Sequence, residues 1–245
     1  MAASELQIAQ KRQGVDVGNP CAACSIREMS ICAALDNSEL SRMAAIARTQ
    51  SFAGRQTMVD EGEPAESLFN ITSGAVKPYK LLPDGRRQST GFLFEGDFLE
   101  IALNDDYAYT AEAVNDVTLC RFPKARFEAL LEEFPKLEKQ LLEVASNELA
   151  QVQDQMLLLG RKTAQEKVVS FLLSLSKRSH ARGAPASPIS LPMNRADIAD
   201  YLGLTTETVS RTFTSLKGSD AIRLLAGNSV ALENFESLSE LADGI

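Results

Sequence analysis

The sequence lacks the features that define several large classes of protein. None of its apolar runs approaches the roughly 18 residues that a membrane-spanning helix needs. Its first five residues lack the basic and apolar regions of a signal peptide. The single histidine, His180, stands in a polar stretch and is most simply solvated. We find no converging acid–base or nucleophilic residues and no phosphate-binding loop. These absences predict a cytoplasmic protein that is not an enzyme and that has no membrane partner.

Positive charge is scarce overall but concentrated in one segment. The 245 residues carry 25 Lys and Arg against 33 Asp and Glu, a net charge of −8. Residues 161–225 reverse this balance, with ten basic residues against five acidic ones, whereas residues 1–160 have 15 against 24. Because DNA phosphates attract cations, this locally basic segment is the candidate for nucleic-acid binding.

The basic segment contains two adjacent helical patterns joined by a glycine. The first helix is predicted from the N-cap Asn194 to Leu202, with a turn at Gly203. The second covers residues 205–217 and has Thr205 or Thr206 as its N-cap. Its apolar residues recur at helical spacing and predict one buried face: Val209, Phe213 and Leu216. Two such helices are typical of a helix-turn-helix, whose second helix enters the major groove.

The opposite face of the second helix carries Glu207, Ser210 and Arg211. A carboxylate can accept a hydrogen bond from cytosine N4, and a guanidinium can donate to guanine O6 and N7. A small hydroxyl can contact thymine or a phosphate. The alternative is a helical hairpin with a solvated charged face.

Four cysteines indicate metal or redox chemistry more than disulfides in a cytosolic chain. Cys21, Cys24 and Cys32 fall within twelve residues, and Cys120 is far downstream. Thiolates suit either zinc or an iron–sulfur cluster, and the spacing does not decide between them. Four unrelated thiols are the third possibility.

Short apolar runs separated by glycines extend from about residue 51 to residue 122 and predict an antiparallel β barrel or roll. The predicted strands are 68–71, 75–76, 79–82, 90–94 and 117–122. Cys120 lies in the last of them. If the thiols share one centre, the fold must bring this strand beside the N-terminal cysteines.

The sequence becomes helical after Pro123, first over Lys124–Glu133 and then from Lys136 to about Leu159. Apolar residues of the longer helix alternate in spacings of three and four: Leu142, Ala145, Leu149, Val152, Met156 and Leu159. This 3.5-residue repeat is typical of a two-stranded coiled coil and predicts a dimer. The alternative is that the same seam packs on its own β roll.

A second helix is predicted over Thr163–Ser176, after a bend at Gly160, and is followed by a loop over residues 179–188. A short strand at residues 189–191 and a hairpin over residues 222–232 would make the helix-turn-helix winged. Residues 233–245 are acidic and show no diagnostic pattern.

The predicted fold class is therefore α+β, in four parts. Residues 1–20 form a flexible tail, and residues 21–135 form a β-roll sensor domain with the cysteine-rich loop. Residues 136–160 form the dimerisation helix, and residues 161–245 form the winged helix-turn-helix.

These residues together resemble the CRP/FNR superfamily of bacterial transcription regulators, and most closely its FNR branch. The resemblance covers about residues 21–232 and depends on four features in order: the cysteines, the motif Phe94-Glu95-Gly96-Asp97-Phe98, the long helix, and Tyr201–Arg211. The last string is highly specific.

The resemblance implies a homodimeric DNA-binding regulator that also contacts RNA polymerase. Glu207, Ser210 and Arg211 would read inverted TTGAT and ATCAA half-sites, flanked by Thr205, Thr206 and Thr208. Cys21, Cys24, Cys32 and Cys120 would hold an oxygen-labile [4Fe–4S] cluster, which favours iron–sulfur over zinc. We expect a regulator that binds its operator under low oxygen; the alternative is a regulator of the same type whose cysteines bind zinc or act as a thiol redox switch.

Two features modify this expectation. Cyclic-nucleotide receptors of the superfamily use an Arg-Ser or Arg-Thr pair for the phosphate, whereas residues 103–110 here are acidic, so we expect no cyclic nucleotide. Relatives can also carry a carboxylate in the dimer seam, where this chain has Val152. Oxygen control of dimerisation is therefore expected to be weaker here.

Overall fold

The structure, a computed structural model, describes residues 21, 23–99 and 104–244. The predicted flexible tail, residues 1–20, lies outside the described residues. The strands are β1 Arg48–Phe52, β2 Thr57–Val59, β3 Ser67–Ser73, β4 Val76–Leu81, β5 Arg87–Ser89, β6 Phe98–Leu99, β7 Thr110–Ala113, β8 Val117–Pro123, β9 Ile189–Ser190, β10 Ile222–Leu225 and β11 Ser229–Leu232. The helices are α1 Asn37–Ile46, α2 Lys124–Glu133, α3 Pro135–Arg161, α4 Ala164–Ala181, α5 Arg195–Leu202, α6 Thr206–Gly218 and α7 Phe235–Asp243.

The first eight strands form a β roll of two antiparallel four-stranded sheets. Their strand orders are β1-β8-β3-β6 and β2-β7-β4-β5. Apolar side chains from both sheets form one buried cluster, which includes Phe69, Ile71, Val76 and Leu119. Side chains alternate along β8, so that Val117 and Leu119 point into this cluster and are buried, whereas Thr118 and Cys120 are partly exposed.

A second core joins the roll to the helices and to the loop that carries three cysteines. It combines Leu68 and Phe122 of the roll with Phe127 of α2. Ile31 and Leu35 of the loop belong to the same core and are 1% and 2% exposed. Their burial fixes the loop against the end of the roll.

The third core belongs to the C-terminal domain, where α4, α5, α6 and α7 pack with a three-stranded sheet of order β10-β11-β9. Phe92 of the roll is a member of this core and lies 5.9 Å from the ring centroid of Phe171 and 5.4 Å from that of Tyr201. The C-terminal domain is therefore packed directly on the roll.

The predicted α+β architecture of roll, long helix and winged helix-turn-helix is confirmed, and three local predictions are wrong. Residues 90–94 are not a strand; only Leu93 makes an isolated bridge, and Phe92 enters the C-terminal core. The helix predicted to end at Ser176 continues to Ala181, because Arg178 and Arg182 contact the roll. The long helix passes through Gly160 and ends at Arg161, so the chain turns at Lys162.

Two helices were not predicted, α1 and the C-terminal helix α7, and neither were strands β1, β2, β5, β6 and β7. Among the described residues, no helix has the length and apolar character that crossing a membrane requires.

Candidate DNA-binding surface and cysteine cluster

The first helix of the helix-turn-helix is fixed at both ends by local interactions. The Asn194 side chain accepts hydrogen bonds from the amides of Ala196 and Asp197, at 2.8 and 2.9 Å. The Asp197 carboxylate in turn accepts from the Asn194 amide at 3.0 Å, which completes a capping box. Gly203 ends the helix in the left-handed region at φ 62°, where a side chain would be strained. The turn between the two helices therefore follows directly from the sequence.

The second helix, α6, begins where it was predicted to begin. The Thr205 hydroxyl accepts from the Thr208 amide at 3.2 Å, so Thr205 is the N-cap. The predicted apolar face is buried, since Val209, Phe213 and Leu216 are at most 2% exposed. Burial of this face sets which residues project into solvent.

The opposite face of α6 presents the predicted base-reading residues. Glu207, Ser210 and Arg211 are exposed. Hydrogen bonds from its own backbone amide and from the Thr205 hydroxyl, with the nearby Arg211 charge, lower the pKa of Glu207. Its carboxylate is thus an acceptor at neutral pH, next to the guanidinium of Arg211 as a donor. This pair has the polarity needed to contact a C·G base pair.

Three threonines surround these side chains. Thr205 and Thr206 are exposed and Thr208 is half-buried. The Thr208 hydroxyl lies 3.4 Å from an Arg211 nitrogen, and the Ser210 hydroxyl donates to the Thr206 carbonyl at 2.8 Å. The Ser210 and Arg211 side chains of this face therefore contact neighbours on the same helix.

The wing is a hairpin of β10 and β11 that follows α6. Its turn contains Gly227 and Asn228 at φ 71° and 54°, the conformation that tight hairpins require. Arg223 on β10 pairs with Glu233 at 2.7 Å and is exposed. The winged form of the helix-turn-helix is therefore present.

The fold brings the cysteines into one region, as sharing a single centre would require. Cys21, Cys32 and Cys120 all pack against the second core. Cys24 follows Cys21 in a turn whose amide-to-carbonyl distance is 3.4 Å. Cys120 lies on β8, paired with Thr49 on one side and Asn70 on the other.

The thiols also influence one another electrostatically. Burial, a lowering hydrogen bond with Ser30, and the neighbouring thiols Cys21, Cys120 and Cys24 together bring the pKa of Cys32 to about 12. Burial, with Cys21 and Cys24, raises the pKa of Cys120 to about 11. The Cys32 and Cys120 thiols are therefore protonated at neutral pH, and a soft cation that bound them would displace protons.

The side chains do not close on a common centre as they stand. Over residues 21–244, apart from the gaps given above, no three His, Cys, Asp or Glu side chains form a metal-binding group. The cysteines are not joined in disulfides. The structure thus supplies four soft donors in one neighbourhood, in an arrangement that metal binding would have to tighten.

The long helix α3 exposes most of its predicted seam. Four of its side chains are more than half exposed: Leu142 at 66%, Leu149 at 60%, Val152 at 51% and Met156 at 69%. Ala145 is half-buried. Leu159 is also half-buried and approaches the turn at Gly203, so this end of the seam contacts the DNA-binding domain of its own chain.

Sequence reasoning missed two groups of charged residues that join the domains. Lys77 on β4 pairs with Asp197 of α5 at 2.5 Å and with Glu112 of β7 at 2.9 Å, all nearly buried. Asp97 pairs with Arg178 and Arg182 at the end of α4. The motif containing Asp97 was the only sequence signal for either group.

A winged helix-turn-helix whose second helix exposes a polar face is typical of a DNA-binding transcription regulator. Comparisons with known proteins agree: residues 49–134 match the cyclic nucleotide-binding domain family, and residues 166–241 match the Crp-like helix-turn-helix domain family. The chain belongs to the CRP/FNR family of transcription regulators. Proteins of this family are regulators and not enzymes, which confirms the expectation made from the sequence.

Two relatives and one solved structure illustrate the similarity. The nitrogen fixation regulation protein FixK of Bradyrhizobium diazoefficiens is 44% identical over 210 residues, 86% of this chain and 89% of FixK. The anaerobic regulatory protein of Pasteurella multocida is 32% identical over 241 residues, 97% of this chain and 88% of that protein. The structure of FixK2 from Bradyrhizobium japonicum superposes with a TM-score of 0.75 at 36% identity, covering 80% of this chain and 97% of that one.

Proposed function

We propose that this regulator is an oxygen-responsive transcriptional activator of the cytoplasm, active as an iron–sulfur-loaded dimer when oxygen is low. The observation that carries the proposal is the position of Cys120. Strand β8 places it in the same region as the three cysteines of the N-terminal loop, although about 90 residues separate it from Cys32. The name of the Pasteurella relative, an anaerobic regulatory protein, supports the same reading.

The donor set fits a [4Fe–4S] cluster better than a hard cation. Cys21, Cys24, Cys32 and Cys120 would hold it, and four thiolates match the preference of iron–sulfur clusters. When bound, the cluster would supply an oxygen-labile centre. The contribution of the chain is to bury part of each thiol and to anchor the loop through Ile31 and Leu35. Loss of the cluster would remove the constraint that the cluster adds to this loop.

The proposed operator is an inverted repeat of TTGAT and ATCAA half-sites. Glu207, Ser210 and Arg211 would read the base edges, and Thr205, Thr206 and Thr208 would adjoin the backbone and neighbouring bases. Exposure of the first three residues beside a buried apolar face supports this assignment. A two-fold dimer would place the two recognition helices about 34 Å apart.

The proposed dimer interface is the exposed seam of α3. Its six residues are Leu142, Ala145, Leu149, Val152, Met156 and Leu159. An exposed row of large apolar side chains is unfavourable in water, and pairing with a second copy would bury it. Val152 carries no charge that would repel the Val152 of the second copy, so we expect the dimer to persist without the cluster.

We propose that this roll takes no cyclic nucleotide. Phe52, Phe69 and Tyr107 belong to its buried core. Beside the roll, Asp105 is fully exposed to solvent and would repel a phosphate. Activation of transcription would require contact with RNA polymerase and no bound cyclic nucleotide.

Anaerobic purification with iron and sulfide quantified tests the cofactor. We expect a brown protein with about four irons per chain that air bleaches, and Cys120→Ser that folds but holds no iron. A matched control is Ser51→Ala, which removes a hydroxyl on the neighbouring strand β1 and should leave the iron unchanged. A colourless protein with one zinc would support the alternative, a zinc or thiol-redox regulator of the same family.

A further inference from the structure

The Gly96-Asp97 turn joins the roll to the DNA-binding domain. Both carboxylate oxygens of Asp97 accept from Arg182, at 3.0 and 2.9 Å, and one also accepts from Arg178 at 2.6 Å. Asp97 is about one-quarter exposed, as are both arginines. Ion pairs shielded to this extent are stronger than those on an open surface.

The arginines hold the whole turn and not only its carboxylate. Arg178 donates to the Phe92 carbonyl at 2.8 Å, and Arg182 donates to the Glu95 carbonyl at 3.1 Å. Both guanidiniums also lie over the ring of Phe94, at 5.0 and 5.2 Å from its centroid. Both arginines come from the last turn and C-cap of α4, so the orientation of this helix depends on the turn.

The other side of the same turn touches the cysteine loop. Gly96 has φ +89°, and a side chain there would lie 3.0 Å from the carbonyl oxygen of Met29. Met29 stands between Cys24 and Cys32 in the sequence. A cavity of about 360 Å³ lies where the three segments meet, lined by Met29, Phe94 and Arg182 among others. The turn is thus in contact with both the loop and the DNA-binding domain.

We propose that Asp97 is a positioning residue for operator binding, which fixes the DNA-binding domain on the roll and couples its orientation to the cysteine loop. A displacement of the loop at Met29 shifts the Gly96-Asp97 turn, and the two arginines transmit the shift to α4. Helix α4 packs against α6, so the recognition helix follows. This route runs within one subunit and does not depend on the seam of α3.

The charge of Asp97 is what makes the route specific. Without its carboxylate, Arg178 and Arg182 would keep main-chain carbonyls and the Phe94 ring as partners but would lose the opposite charge between them. Loss of this attraction would weaken the attachment of α4 to the turn. Asp97→Asn keeps the size of the side chain, removes its charge and replaces one acceptor oxygen with an NH2 donor, so it tests the loss of the carboxylate directly.

The matched control is Asp84→Asn. Asp84 also lies on the roll and is also paired with an arginine, Arg86 at 2.8 Å. Its side chain is 53% exposed, and its partner is two residues away in the same hairpin. Arg182→Gln serves as a second variant on the other side of the contact, in case Asp97→Asn does not fold.

The first measurement compares operator affinity of the iron-loaded and iron-free full-length protein and rests on the proposed function. The duplex is selected from a random library by the wild-type protein, so that no operator sequence is assumed. Allosteric coupling is typically about 5- to 150-fold, and we expect a ratio in this range for the wild type and for Asp84→Asn. Asp97→Asn should keep its iron and bring the ratio close to one.

The second measurement needs no metal, and it distinguishes the positioning role of Asp97 from the proposed iron–sulfur cofactor. Because coupling is reciprocal, operator binding should change amide hydrogen exchange in residues 24–36 of the iron-free wild type. Asp84→Asn should show the same change, and Asp97→Asn or Arg182→Gln should lose it. No change in the wild type, or an equal change in both Asp97→Asn and Arg182→Gln, overturns the role of Asp97. A wild type that holds no iron when it is purified anaerobically, and that still shows the exchange change, contradicts the proposed cofactor and leaves the positioning role supported.

Discussion

Lys77 and Lys80 provide a direct test of how the DNA-binding domain is held. Both lysines lie on β4, and both pair with carboxylates. The Lys77 side chain is 11% exposed and its partners Glu112 and Asp197 are 11% and 9% exposed, whereas Lys80 is 51% exposed. The two positions therefore differ mainly in burial.

Lys77→Met should be strongly destabilising. Removing one partner of a buried ion pair costs about 3–5 kcal/mol, because a charge is left buried without compensation. Glu112 keeps Arg87 at 3.2 Å, and Asp197 keeps the Asn194 amide at 3.0 Å, which places the expected loss at the lower end, about 3 kcal/mol. Lys80→Met removes an exposed pair and should cost about 0–1 kcal/mol.

Thermal unfolding of the full-length protein measures both changes. For a chain of this size, a loss of 3 kcal/mol corresponds to a fall in Tm of about 6–12 °C. The pKa of Lys77 also sets the direction in which this difference in stability changes with pH. Burial lowers the pKa of Lys77, but its hydrogen bonds to Asp197 and Glu112 outweigh burial and raise the pKa above 10.5. This contribution to the stability of the wild type is then complete below about pH 10.5 and is lost as the pH rises through the raised pKa of the folded state. Equal Tm losses for the two variants would refute this account of the buried pair.

Three further predictions concern the site. Arg211→Ala should lose about 1–3 kcal/mol of discrimination at one G·C pair, measured by binding to single-base operator variants, whereas Lys217→Ala should weaken all sequences equally; unchanged base preference would remove Arg211 from base reading. Leu149→Asp should raise the dimer dissociation constant at least about tenfold in sedimentation equilibrium, because two carboxylates would meet in the seam. The control is Leu157→Asp, since Leu157 is 65% exposed but lies off the seam. Equal effects of the two substitutions would place the interface elsewhere. Thr205→Ala should lower the free energy of unfolding by about 0.5–2 kcal/mol through loss of the N-cap, and Thr206→Ala should not; similar losses would contradict the capping role.

Much of the DNA-binding domain is predictable from sequence because its signals are local. The N-cap Asn194, the turn at Gly203 and the apolar spacing of α6 each depend on a few neighbouring residues, and the structure has them as expected. The grouping of the cysteines was also anticipated, from the condition that Cys120 must reach the loop.

What the sequence did not show depends on contacts between distant segments. Strands β2 and β6 have three and two residues, too few for a pattern, and exist because partner strands bind them. Lys77 and Asp197 are 120 residues apart, so neither residue signals the other. The extra turn of α4 was missed for the same reason, since Arg178 and Arg182 stabilise it through the roll. Gly160 was expected to bend the helix, but a single glycine costs only about 1 kcal/mol, which tertiary packing offsets.

The most direct test of the proposed cluster and of DNA binding together is the operator affinity of one anaerobic sample, measured before and after exposure to air. We expect the iron-loaded protein to bind tightly to the inverted repeat of TTGAT and ATCAA. After air has removed the iron, we expect binding at least about fivefold weaker. A protein without iron that binds this duplex equally well before and after air would contradict the proposed sensing function.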